Sequence, residues 1–179
     1  MGAVGDSRAG ERIFHVSEAA AIPRFEPRAD SQGRECVWAI GNSRLHNYLL
    51  PRECPRVTYY ANHATAGADR QAFFSVSDAQ SVVAIEQAWY PALCNTRLHV
   101  YEFAAESFVL EDAIAAYYVT LRAVAPIAER EVADIPAELF DRGVELRVLS
   151  TLWPLRDAVV ASSLAFSIIR MRNAQQRGV

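Results

Sequence analysis

The residues able to do chemistry gather in two places. The first is the alternating run at 12–16, RIFHV, where His15 sits mid-strand with Ser17 close behind it. A neutral imidazole there can accept a hydrogen bond from a ribose hydroxyl or act as a base; the competing role is a core-edge ring bonded to a backbone carbonyl. The second is 36–60, CVWAIGNSRLHNYLLPRECPRVTYY, where Arg44, His46, Tyr48, Arg52 and Arg56 lie between two apolar β-rich runs. Tyr48 follows Leu45 by about one helical turn, so it can point inward to pack or to stack on a planar ring. Arg52 and Arg56, like Arg24 and Arg28, belong to proline-flanked pieces, PRECPR and PRFEPR. Proline fixes the backbone beside each guanidinium fork, which suits a phosphate or carboxylate ligand. Glu26 and Glu53 are the alternative partners, as ion pairs.

Three carboxylates, Glu86, Glu102 and Glu145, stand in or at the end of apolar β runs. A carboxylate on a buried strand face costs desolvation unless it is matched, so each is either functional or paired with an arginine. Arg147 alternates with Glu145 onto one strand face, which makes a structural pair easy there.

Much chemistry is excluded. All 18 basic residues are arginine, so there is no Schiff-base or P-loop lysine. No HxxxH, HExxH or CxxC spacing is present, and no metal site is expected. GxGxxG, P-loop and GxSxG motifs are missing as well. A net charge of −3 and a pI near 5.8 argue against a general nucleic-acid binder. Cys36, Cys54 and Cys94 form an odd set, expected as free thiols in a reducing compartment. The start has no apolar leader segment and no apolar run reaches about 18 residues. The expectation is a cytoplasmic protein that meets a small-molecule ligand and no membrane.

The elements that must position these groups follow from periodicity. A disordered tail is expected over 1–10 and one domain over 11–179. Alternation at 12–16 and 98–103 and short β-rich runs elsewhere predict strands at 12–16, 36–40, 57–60, 73–76, 82–86, 98–103, 117–124, 127–132 and 145–149. Short helices are expected at 43–50, at 110–116 behind Glu111 and Asp112, and at 136–142, where Gly143 is the stop. Ser17 is placed to cap a helical turn, SEAAAI. One long helix is predicted from Pro154 to about Gln175, with Leu155, Val159, Ser162, Phe166 and Ile169 at the helical period. The fold class is α+β: a mixed, mostly antiparallel sheet of short strands around a cleft, with the C-terminal helix packed on it.

Two resemblances sharpen this. The pieces IFHVS, VWAI, PRECPRV and VELRV resemble a small family of uncharacterised bacterial proteins, over roughly residues 12–173. More loosely, a histidine on the first strand, an aromatic in the next strand–helix unit and a late carboxylate are similar to ADP-ribosyltransferase-like folds and RNA 2′-phosphotransferases. That likeness implies NAD as cofactor. It implies that His15 holds the adenosine-side ribose, that Tyr48 stacks on nicotinamide, and that a glutamate orients the second ribose. No Glu-x-Glu or Gln-x-Glu motif is present; Glu145 is the candidate catalytic residue, with Glu86 and Glu102 as alternatives. Ser17, Arg52 and Arg56 complete the expected cofactor-binding set, with His15, Tyr48 and at least one of the two arginines lining one cleft. The function expected is an NAD- or nucleotide-phosphate-binding protein of ADP-ribosyltransferase type. The alternative is a non-catalytic domain binding a small ligand or a protein partner.

Overall fold

The computed structural model describes residues 11–30 and 33–177; the tail expected over 1–10 lies outside them. Its strands, in chain order, are β1 (Ile13–Ser17), β2 (Arg28–Ala29), β3 (Glu35–Gly41), β4 (Arg56–Tyr60), β5 (Ser81–Glu86), β6 (Leu98–Phe103), β7 (Val109–Asp112), β8 (Tyr117–Thr120), β9 (Ala128–Val132), β10 (Val144–Leu149) and β11 (Ala165–Ile169). The helices are short: α1 (Gly67–Phe74), α2 (Tyr90–Asn95), α3 (Ile135–Asp141) and α4 (Trp153–Val160). The class is α+β, as the sequence implies. Residues fall into two compact units, one from the chain up to Leu45 with His99–Glu131, the other from His46–Leu98 with the chain from Val132 onward.

In the first unit the sheet order is β7-β8-β3-β1-β6-β9, with β2 also paired to β3. Alternation sends Ile13, Val37, Ala39, Tyr101 and Phe103 to one face, where they bury with Phe108. Ile22, Phe25 and Val124 pack against that face. Phe25 and Val124 hold each other by two backbone bonds of 2.8 and 3.0 Å. Gly41 packs closely: a Cβ there would stand 2.7 Å from Glu11 Oε1, the end of a side chain that can swing away, and 3.2 Å from the Ala116 Cβ, which would have to give by a few tenths of an ångström.

In the second unit the order is β10-β5-β4-β11. β4 and β5 run antiparallel, and β10 joins β5 in parallel. Every residue of β4 and all but the first of β5 are buried, the signature of strands covered on both faces. Val57, Tyr59, Val82 and Ala84 form the core with Phe74, Leu152, Val159 and Leu164. α3 begins at an Asp134 cap that accepts the Ala137 N–H and stops at Gly143, whose φ is +67°.

Several expectations are corrected. The long helix over 154–175 does not form. α4 ends at Val160, and β11 then pairs antiparallel with β4. The Ser162 hydroxyl donates back to the Val159 carbonyl at 2.7 Å, and Ser163 donates to Asp69 from both its backbone N–H and its hydroxyl. Serines bonding this way compete with the helix ladder. Phe166, expected inside, is 42% exposed on β11. The strand expected at 73–76 is displaced by α1 and the turn after it. The helix expected at 110–116 is β7 plus a turn in which Asp112 Oδ1 accepts the Ile114 and Ala115 N–H groups. Over 43–50 the chain makes a 3-10 turn, Asn42–Asn47, rather than an α-helix. Ser17 caps no helix; its Oγ accepts the Ala19 N–H in a local turn.

Candidate functional site

His15 and Ser17 take their positions from strand register. His15 stands opposite Tyr101 on β6, and Ser17 opposite His99, so all four side chains share one sheet face. The segment just after β1 is tied to them. The Tyr101 hydroxyl donates to the Ala19 carbonyl at 2.7 Å and accepts the Ile22 N–H at 3.2 Å. Glu129 Oε1 accepts the Ala21 N–H at 3.1 Å and lies 2.9 Å from His99 Nδ1. That last pair is close but poorly aligned, since His99 Nδ1 makes no hydrogen bond of good geometry. Ala21 has a φ of +53°, a left-handed conformation that a non-glycine residue holds at a cost. Anchors on either side of it sustain that conformation.

The His15 ring is oriented twice over. Its Nδ1 lies 3.0 Å from the Trp38 carbonyl. A carbonyl only accepts, so Nδ1 carries the proton, and in the neutral ring Nε2 is the acceptor. Phe25 tilts against the imidazole at 4.9 Å and is itself set edge-on to Tyr101 and Phe103, each at 5.1 Å. Burial holds the Tyr101 hydroxyl above its ordinary pKa, so it serves as a neutral anchor.

The other candidates lie in the second unit. Arg56 is 3% exposed, and its guanidinium donates to the carbonyls of Asn47, Pro51 and Cys54 at 3.2, 3.2 and 2.7 Å. It thereby holds together the loop that carries Tyr48 and Arg52. Tyr48 is half-buried and Arg52 exposed. Cys54, beneath the same loop, is pushed up to about 12 by burial, the mark of an inert thiol. Cys36 is a buried free thiol and Cys94 an exposed one, as their spacing implies.

Each of the three carboxylates in β runs has a partner. Glu145 bonds Arg147, the pair that alternation allows, and that bond holds its carboxyl below the usual range. Arg147 also donates to the Phe73 carbonyl at 2.8 Å. Glu102 takes a two-pronged bond from Arg12, at 2.8 and 2.6 Å, which likewise lowers its pKa. Glu86, 1% exposed, has no arginine among the described residues; it accepts the Leu152 and Gln175 N–H groups at 3.2 and 2.9 Å. Of the PR pieces, Arg24 pairs with Glu26 at 2.9 Å. Glu53 is taken instead by Asn173, Arg170 and Arg172, with the Asn173 amide the main cause of its lowered pKa.

The structure therefore brings His15 and Ser17 together in the first unit and places Tyr48, Arg52, Arg56 and Glu145 in the second. Sequence reasoning missed Tyr101, His99 and Glu129. The alternation of LHVYEF puts His99 and Tyr101 on one face, so half of that signal was present. Among the described residues no group of three or more His, Cys, Asp or Glu could hold a metal ion. No helix among them is long and apolar enough to cross a membrane.

Fold and site define an α+β protein with a fixed histidine on its first strand. Residues 14–174 match the Family of unknown function (DUF6886), and the chain belongs to that family. No curated protein and no solved structure matches it.

Proposed function

We propose that this chain binds a nucleotide of the NAD type, with His15 on β1 taking the adenosine-side ribose. The observation that carries the reading is the bond from His15 Nδ1 to the Trp38 carbonyl. It makes Nε2 an acceptor of fixed direction, the group a ribose hydroxyl needs. Ser17, half-buried two residues on, adds a hydroxyl at the same end of the strand. The ring contact with Phe25 supports the reading further, because a pre-oriented imidazole loses little entropy on binding. Glu145 is engaged by Arg147, and this favours a binding protein over a transferase.

Titration calorimetry with NAD, ADP-ribose and nicotinamide mononucleotide tests the proposal. NAD and ADP-ribose should bind, and His15→Ala should weaken both by about tenfold, the worth of one hydrogen bond to a polar ligand. Nicotinamide mononucleotide lacks the adenosine ribose and should be indifferent to the substitution. No heat at millimolar NAD, or a folded His15→Ala chain that binds like wild type, overturns it.

A further inference from the structure

Glu86 is a buried carboxylate that, among the described residues, accepts from main-chain N–H groups alone, and both donors come from far along the sequence. Its Oε2 accepts the Gln175 N–H at 2.9 Å. The Trp153 indole N–H donates to the Gln175 carbonyl at 2.8 Å. Both main-chain groups of one residue are thus gripped by side chains. Two residues on, the Arg177 guanidinium bonds Asp157 and lies over the Trp153 ring, 5.5 Å from its centroid. All of these residues belong to the second unit. Asp157 also takes Arg156 at 3.0 Å.

Such a clamp separates affinity from specificity. Side chains that grip a peptide N–H and C=O accept any residue in an extended strand, while a flanking pocket selects one side chain. Here the selecting contact is a partly exposed acid beside an aromatic face, which suits arginine. The clamp also needs an occupant. If residues 175–177 leave, the Glu86 carboxylate keeps only the Leu152 N–H, and an under-satisfied buried charge is costly.

We propose that Glu86, Trp153 and Asp157 form a binding site for an arginine-bearing peptide segment, filled in cis by the chain's own residues 175–177. The site is independent of the nucleotide reading above. A partner peptide with arginine two positions after the gripped residue competes with the tail for it.

The test uses a chain ending at Ala174 and a blocked peptide, Gln-Gln-Arg, the sequence of residues 175–177. Calorimetry should show the peptide binding the shortened chain at least about tenfold more tightly than the full chain, whose site is filled. Replacing the peptide's arginine by alanine should cost about tenfold, the scale of one charged hydrogen bond. A shortened chain that keeps its wild-type circular dichroism yet gives no heat at millimolar peptide overturns the proposal, as does equal binding of both peptides. Should the shortened chain not fold, Arg177→Ala in the full chain loosens the tail and leaves the three site residues intact. That variant should take the peptide more tightly than wild type does; equal or absent binding overturns the assignment. A full-length chain that dimerises by exchanging this segment also overturns it, since the occupant would then be a second copy.

Discussion

The two units set polar side chains against main-chain groups at different depths. In the first, His15, Ser17, Tyr101 and Glu129 lie along one sheet face. Tyr101 is buried, the other three are half-buried or exposed, and between them they tie down the segment after β1. In the second, Arg56 and Glu86 are almost wholly buried and are bonded to main-chain groups. A charge sunk in a core must be matched, and here carbonyls and N–H groups do the matching. The lesson is that charge alone does not mark a site. Main-chain groups are the partners in both units, so burial is what separates the two sets.

The sharpest way to break that contrast is Arg56→Ala. It strips the donor from three carbonyls in a buried loop and should cost about 3–5 kcal/mol in urea unfolding. Arg56→Lys should fall between, because an ammonium cannot span the same fork. A loss below about 1 kcal/mol for the alanine variant would mean that the carbonyls find water. Arg56 would then be no more architectural than His15.

Acid sharpens the contrast from the other side. The Arg147 bond holds Glu145 below its ordinary 4.5. A carboxylate whose folded pKa is depressed adds stability that is fully present above the ordinary value and is lost as pH falls through the folded one. Glu145→Gln should therefore be less stable than wild type at neutral pH, by about 1 kcal/mol for a partly buried pair. The difference should vanish well below pH 4.5 in thermal melts. A difference that persists in acid would place the effect in packing. The smallest effect is expected at Phe166→Ala, under about 1 kcal/mol for a side chain that keeps 42% of its exposure. A loss of about 3–5 kcal/mol would restore the buried helix that periodicity suggested.

Local pattern made β1, β3, β6 and α3 legible: clean alternation in the strands, Pro136 and Gly143 around the helix. The stretch after Val160 was not legible, because LAFSII fits a helical face as well as a strand. There it pairs with β4, a partner distant in sequence, just after Ser163 bonds Asp69. His15 and Ser17 could be picked out by type and spacing. Their face-mates Tyr101 and His99 could not be assigned to them, because strand register is a tertiary fact. The burial of Arg56 was hidden for a similar reason. PRECPR shows that the backbone is stiff but not which side of the loop faces the core.

Nitrogen-resolved histidine NMR with and without ADP-ribose tests the central claim most directly. His15 should be in the Nδ1–H tautomer before ligand is added, and its Nε2 resonance should shift on binding as that nitrogen accepts the ribose hydroxyl. A proton on Nε2 in the unliganded protein, or a bound ligand that leaves the His15 Nε2 signal unmoved, would contradict it.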